Sequence, residues 1–323
     1  MGSDPIALPA LEWLCANAAD RVTVVGVFTQ PDRPTGRGQK LTPNGIKLWA
    51  QERGLPVHQP EKLTTDAKAG LASLAPDAVL VMAYGHILRQ DWLDLPPLGI
   101  WNLHASVLPA LRGASPIQGA IVSGARVSGV SLMRMVLRLD AGPVLDIERT
   151  PIADDDTALD LEEKLARACV PLLERTLDAM LRPAPSVREQ DDSAATFTRR
   201  LRKDDGRLDF SAPAATVARR INGLFPWPGT FFIFEGETIK VGLASAMPAE
   251  HGAPAQPGTV LGERDAALAV ATGEGVVGLR RLQRPGGRML PAQEFLRGRA
   301  IVPGTVLASA SMPPLVAPVP FKG

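Results

Sequence analysis

Apolar residues along this chain fall into a few rhythms, and each rhythm marks a kind of element. Near-continuous short runs at Val22 to Phe28 (V-T-V-V-G-V-F) and Asp77 to Ala83 (D-A-V-L-V-M-A) predict parallel strands covered on both faces. Gly99 to His104 predicts another buried strand after the Pro96-Pro97 break, and Val57 to Gln59 a short one. Val130 to Val136 and Val144 to Ile152 predict a strand and its return. Helical spacing joins Leu8, Leu11 and Leu14 behind a Ser3-Asp4-Pro5 start, and helices are expected over Asn44 to Gly54 and from Ser115-Pro116 to about Gly124. A longer one runs from Asp156-Thr157 to about Leu181, with Leu161, Leu165, Val170, Leu173 and Leu177 on its apolar face. Strands alternating with helices predict an α/β fold over residues 1–181, a doubly wound, mostly parallel sheet with ligands at the strands' carboxyl ends.

The pattern changes after that. Residues 182–198 open with R-P-A-P-S-V-R-E-Q-D-D-S-A-A, the composition of a linker. Over residues 199–306 a helix near Ala214 to Asn222 is followed by five short strands: Phe231 to Phe234, Thr238 to Ala244, Gly258 to Leu261, Ala267 to Thr272 and Val276 to Leu282. They suit a small OB-like β-barrel, with one more helix at Pro291 to Arg297. The tail, residues 307–323, is Pro-rich without a period and is expected to be disordered.

Composition narrows the function classes. With 323 residues and 45% apolar content the chain can bury two cores, and no stretch of about 18 apolar residues is present to span a membrane. The N-terminus lacks the pattern of a secretory signal, and two cysteines, Cys15 and Cys169, point to a reducing, cytoplasmic setting. The four histidines (58, 86, 104 and 251) show no metal-ligand spacing, and a Gly-x-Gly-x-x-Gly fingerprint is missing. The net charge of +1 hides an asymmetry: residues 1–198 carry −5 and residues 199–323 carry +6, which hints at a polyanionic partner.

Candidate chemistry concentrates in G-I-W-N-L-H-A-S-V-L-P-A-L-R-G, Gly99 to Gly113. Asn102 and His104 are two apart, so an extended chain sends both side chains from one face of the sheet. Asp140, in L-R-L-D-A-G-P, is the carboxylate available to meet them. An amide donor, an imidazole and a carboxylate with no Ser or Cys beside them suit acyl transfer in which the nucleophile belongs to the substrate. On these residues alone, a polar network shaping a tight turn is an equal reading. Thr29 to Pro43, too rich in Pro and Gly for regular structure, holds Arg33, Arg37 and Lys40 against Asp32 alone. Phosphate contact and a mobile surface loop are level there.

N-L-H-A-S-V-L-P-A-L-R-G, followed by A-S-P-I-Q-G-A-I and L-D-A-G-P, resembles the folate-dependent formyltransferases. The flanking V-F-T-Q-P-D-R-P-T-G-R-G, L-R-K-D-D-G-R-L-D-F, F-P-W-P-G-T and V-A-T-G-E-G-V narrow the resemblance to the methionyl-tRNA formyltransferases, from Gly2 to about Gly304. The resemblance implies a translation-initiation enzyme, cytoplasmic and monomeric, that moves a formyl group from 10-formyltetrahydrofolate to initiator methionyl-tRNA without a metal. It casts Asn102, His104 and Asp140 as catalytic. Ser106, Val107, Leu108 and Pro109 would border the folate, and Tyr84, Gly85 and Leu139 would hold the pterin through main-chain hydrogen bonds. Arg33, Arg37 and Lys40 would enter the acceptor stem, Arg200 and Lys203 would follow the phosphates with the rest of Arg199 to Lys203, and Arg112 would brace its loop. Val107 stands where the family usually has leucine, and Arg200 where it often has lysine. In that family a short apolar strand ends in the glycine turn that opens this chain, so the first strand of the sheet is expected to be missing, and either the true start lies upstream of Met1 or the polypeptide is impaired. Two rivals share these residues: a hydrolase of formyl-folate, and a non-catalytic tRNA-binding relic.

Overall fold

A computed structural model describes residues 1–35, 38–248 and 255–321. Compactness divides the chain into two units: residues 1–112, 128–150 and 162–195, and residues 113–127, 151–161 and 196–323. The segment from Arg182 to Ala195, read from sequence as a linker, lies within the first unit.

In the first unit, Asp4 Oδ1 accepts from the Ile6 N–H at 3.0 Å and caps a short turn ahead of helix α1 (Leu8–Ala16). Strand β1 (Val27–Phe28), the paired strands β2 (Arg33–Thr35) and β3 (Lys40–Thr42), helix α2 (Gly45–Glu52) and strand β4 (Val57–His58) follow. Asn44 caps α2, its Oδ1 accepting from Lys47 N–H at 3.0 Å. Next come α3 (Thr65–Ser73), β5 (Val79–Val81), α4 (Gln90–Leu93), β6 (Ile100–His104) and β7 (Arg112–Gly113). Helix α5 (Pro116–Ser123), which belongs to the second unit, precedes strands β8 (Val127–Arg134) and β9 (Val144–Pro151) and helix α6 (Ala158–Met180). The sheet runs β5-β6-β8-β9, parallel between β5 and β6 and antiparallel between β6 and β8. Phe28, Val79, Val81, Trp92 and Ile100 are buried around it.

The strand expected over Val22 to Phe28 is reduced to β1, paired in parallel with β4. Gly2 donates its N–H to Phe28 O at 3.0 Å and bridges Met82 in parallel, so the first two residues lie between β1 and β5. A cavity of about 40 Å³ bordered by Met1, Gly26, Val27, Leu80 and Leu103 adjoins this place.

In the second unit, strand β10 (Phe197–Thr198) precedes helix α7 (Ala214–Gly223) and strands β11 (Thr230–Phe234), β12 (Glu237–Met247), β13 (Val260–Arg264), β14 (Ala267–Ala271), β15 (Val276–Gln283) and β16 (Leu290–Pro291). Helix α8 (Ala292–Gly298) and strand β17 (Val316–Ala317) end it. The sheet order is β11-β12-β15-β14-β13, antiparallel throughout, with register shifts in β12 and β13 of the kind that bend a sheet around its core. That core joins Phe210, Val217, Ile221, Ile239, Val270, Leu279 and Phe295.

The tail is not disordered over its described residues. Leu307 and Leu315 are buried, Val316 and Ala317 pair with β10, and Ser309 Oγ accepts the Phe210 N–H at 2.9 Å. Its prolines break any helical period while leaving single apolar side chains and carbonyls free to dock.

Candidate active site

Strand β6 presents Asn102 and His104 from the same face, in register with Met133 and Ser131 of β8. His104 is only 6% exposed, so its ring nitrogens meet protein before water. Nε2 lies 3.0 Å from the Leu111 carbonyl oxygen, which can only accept, and therefore Nε2 carries a proton. The nitrogen left to exchange one is Nδ1, and it faces Asp140 Oδ2 at 3.7 Å. Leu111 turns its carbonyl inward by adopting a left-handed backbone, φ +61°, which costs a leucine strain that the surrounding contacts must offset.

Two polar frames hold the loops that carry these groups. After β6, Ser106 and Ser131 are fully buried. Ser131 Oγ donates to Ser106 O at 2.7 Å and accepts from Leu108 N–H at 3.0 Å, while Ser106 Oγ donates to Ala110 O at 2.6 Å. Asp140 lies in a turn at φ +47°, a conformation its short polar side chain tolerates. A Cβ on Gly142, two residues on, would come within 1.8 Å of Arg134 O, so this close approach requires glycine. Gln190 Nε2 donates to the carbonyls of Asp140 at 2.9 Å and Gly142 at 2.7 Å. Its Oε1 accepts from buried Arg112, whose Nη1 pairs with Asp192 at 2.9 Å. Hydrogen bonds from Arg138 and then Arg112 hold the Asp192 carboxyl below the usual carboxylate range.

The residues expected around a folate divide by exposure. Val107 and Pro109 are half-buried, whereas Ser106 and Leu108 are buried and act by shaping the loop. The loop after β5 carries Tyr84 and Gly85, and β5 neighbours β6 with Val81 opposite Asn102. Tyr84 O already accepts from Ser3 Oγ and Gln30 Nε2, so its carbonyl is spent inside the protein. Its hydroxyl and His86 Nε2 are buried without a partner among the described residues, and burial pushes the Tyr84 phenol up to about 12. Leu139, beside Asp140, is 60% exposed and Ile87 is 85% exposed. Leu139 and Ile87 thus leave apolar surface uncovered on their loops, whereas the Tyr84 hydroxyl and His86 Nε2 are enclosed by protein.

Among the basic candidates, Arg33 and Lys40 are exposed on a two-stranded ribbon rather than an irregular loop. Arg33 pairs with Thr42 and Thr35 with Lys40, which sets both cations on one face. Thr35, Leu41 and Thr42 are strand-formers, and the ribbon uses them. Arg37 lies outside the described residues. Arg200 and Lys203 are exposed in the second unit, whereas Arg199 is engaged with buried Asp205 at 2.6 Å. No group of His, Cys, Asp and Glu arranged to hold a metal occurs among the described residues.

The chain matches the formyl transferase family model over residues 8–177 and the formyl transferase C-terminal domain over residues 200–300. It is 42% identical over 309 residues to the methionyl-tRNA formyltransferase of Gluconobacter oxydans (strain 621H), covering 95% of this chain and 98% of that protein. The chain belongs to the methionyl-tRNA formyltransferase family. Another member, from Ectopseudomonas mendocina (strain ymp), is 44% identical over 301 residues, covering 92% of this chain and 95% of that one. Among solved structures, WlaRD, a sugar 3N-formyl transferase crystallised with dTDP and 5-N-formyl-THF, superposes with a TM-score of 0.64 at 16% identity, covering 88% of this chain and 95% of that one. HypX from Aquifex aeolicus in complex with tetrahydrofolic acid gives 0.57 at 19% identity over 83% of this chain and 46% of that one. At these identities the likeness is one of fold.

Three supports of this methionyl-tRNA formyltransferase site were not read from sequence. Ser131 had a signal, because a hydroxyl on a buried strand calls for a partner, although Ser128 Oγ on the same strand finds none among the described residues. Gln190 was hidden in a stretch with linker composition. Leu111 carries no mark of its left-handed backbone.

Proposed function

We propose that the chain formylates the α-amino group of methionine esterified to initiator tRNA, with 10-formyltetrahydrofolate as donor. The observation that carries this reading is His104, with Nε2 committed to Leu111 O and Nδ1 facing Asp140, on the strand that also carries Asn102. In the reaction, the methionine amine bonds to the formyl carbon as that carbon's bond to the folate nitrogen breaks, and the amine proton passes to the released nitrogen. Asn102 Nδ2 donates to the oxygen on which charge develops, and His104 holds a proton at Nδ1 for the same charge. Preorganised donors of this kind are each worth roughly 3 kcal/mol. Asp140 faces Nδ1 with Oδ2 at 3.7 Å and is a carboxylate available to receive the amine's proton through water. An α-amine with pKa near about 8 is partly neutral at pH 7, so the nucleophile needs no strong base.

The Tyr84 to Ile87 loop and the Leu139 turn hold the pterin, and Val107 and Pro109 border the folate beside them. Arg33, Arg37 and Lys40 contact the acceptor stem, and Arg200 and Lys203 contact tRNA phosphates. No described helix is long and apolar enough to cross a membrane. The test is formyl transfer to methionine charged on initiator and on elongator tRNA. Formyl-methionyl-tRNA made preferentially on the initiator supports the reading. Formate released at the same rate without acceptor would replace it with hydrolysis, and no product of either kind would leave a binding protein.

A further inference from the structure

The segment between the two family domains reaches back to the catalytic turn. Arg188 and Val144 exchange both backbone hydrogen bonds, each 2.8 Å, which brings the residues after Arg188 against the start of β9. Two residues later, the half-buried Gln190 spends its whole amide at the site. Its Nε2 donates to Asp140 O and Gly142 O, and its Oε1 accepts from Arg112 Nε at 3.1 Å and Nη2 at 2.8 Å. Arg112 is 2% exposed and comes directly after Leu111, the residue whose carbonyl fixes the His104 tautomer. One side chain therefore joins the backbone that aims Asp140 to the backbone that aims His104. Only an amide can do this, because the task needs two donors toward carbonyls and an acceptor toward a guanidinium.

We infer that Gln190 is a positioning residue for the transfer reaction, setting the separation of Asp140 and His104 from outside the reacting groups. The inference rests on the proposed function. Gln190→Glu separates positioning from folding. A carboxylate keeps the bond to Arg112 but cannot donate to the two carbonyls and instead repels them. A displacement of about 1 Å at reacting groups costs on the order of a hundredfold, so kcat in Gln190→Glu and Gln190→Ala falls at least tenfold while KM for methionyl-tRNA stays within about twofold. Both variants also show faster amide hydrogen exchange at Ala141 and Gly142, a readout that needs no activity. A kcat for Gln190→Glu within twofold of the wild type, a loss confined to KM, or unchanged exchange in both variants overturns the inference. A wild-type chain that transfers no formyl group overturns the reading beneath it, and the exchange measurement still decides whether Gln190 holds the turn.

Discussion

At the scale of single residues, the site depends on which atoms are already spent. His104 Nε2 is bound to Leu111 O, so any function of this imidazole is exercised at Nδ1. Removing the ring by His104→Ala, or the amide by Asn102→Ala, is expected to lower kcat about a hundredfold or more and to leave folate affinity nearly unchanged. Stopped-time transfer assays beside equilibrium titration with the folate check this, and near-normal turnover in either variant would end the assignment. The spacing of Asn102 and His104 was legible because a strand's period of two is rigid. The meeting of His104 with Asp140 was legible only as chemistry, since thirty-odd residues separate them and a turn at φ +47° brings them together. What held that turn was not legible, because Gln190 supplies a tertiary hydrogen bond from a stretch with no periodic pattern.

Among elements, the ribbon of β2 and β3 shows the limit of composition as a guide. Its Pro and Gly content argued for irregular chain, yet cross-strand pairing needs only a few β-prone residues on each arm, and Arg33 to Thr35 opposite Lys40 to Thr42 supply them. The pairing turns two scattered cations into one charged face. Arg33→Ala and Lys40→Ala should each raise KM for methionyl-tRNA and flatten its dependence on log salt concentration by about one, as one counterion release is lost per phosphate contact. Initial rates across a salt series measure the slope, and an unchanged slope in both variants would make the ribbon a passive surface. The long helix α6 was legible for the opposite reason: Leu161, Leu165, Leu173 and Leu177 are all fully buried, as a 3.6-residue period requires, although Val170, expected on the same face, is only half-buried and Cys169 beside it is the one enclosed.

For the whole molecule, the sequence located two folded regions and misjudged the tail, which folds with the second of them. Arg220, only 3% exposed, donates to Asp205 O at 2.8 Å and through Nη1 to Pro313 O at 2.9 Å, and burial lowers its pKa to about 10. Arg199 pairs bidentately with Asp205 and sends Nε to Pro314 O at 3.3 Å. Burial raises the Asp205 pKa, but the hydrogen bonds from Arg199 and the Arg202 N–H outweigh it and the net shift is downward. A depressed folded pKa gives stability that is present above the ordinary carboxylate range and is lost as pH falls through the folded value. Asp205→Asn should therefore melt well below the wild type at pH 7, since breaking a buried pair costs about 3 to 5 kcal/mol, and the gap should narrow as pH falls below about 4. A gap constant across that range would show that the charge of Asp205 is idle. The same network argues for the tail. Deleting residues 309–323 removes Leu315, a side chain only 3% exposed, together with the strand paired with β10, and leaves Arg220 Nη1 without its carbonyl. Burial of one leucine is worth about 1.5 to 3 kcal/mol and a buried donor left unpaired costs about 1 to 3 kcal/mol, so the deletion should lower Tm by roughly 5 °C or more. Calorimetry of the full chain beside the shortened one measures it. Superimposable melting curves would mean that Pro313 and Leu315 rest on the second unit without supporting it.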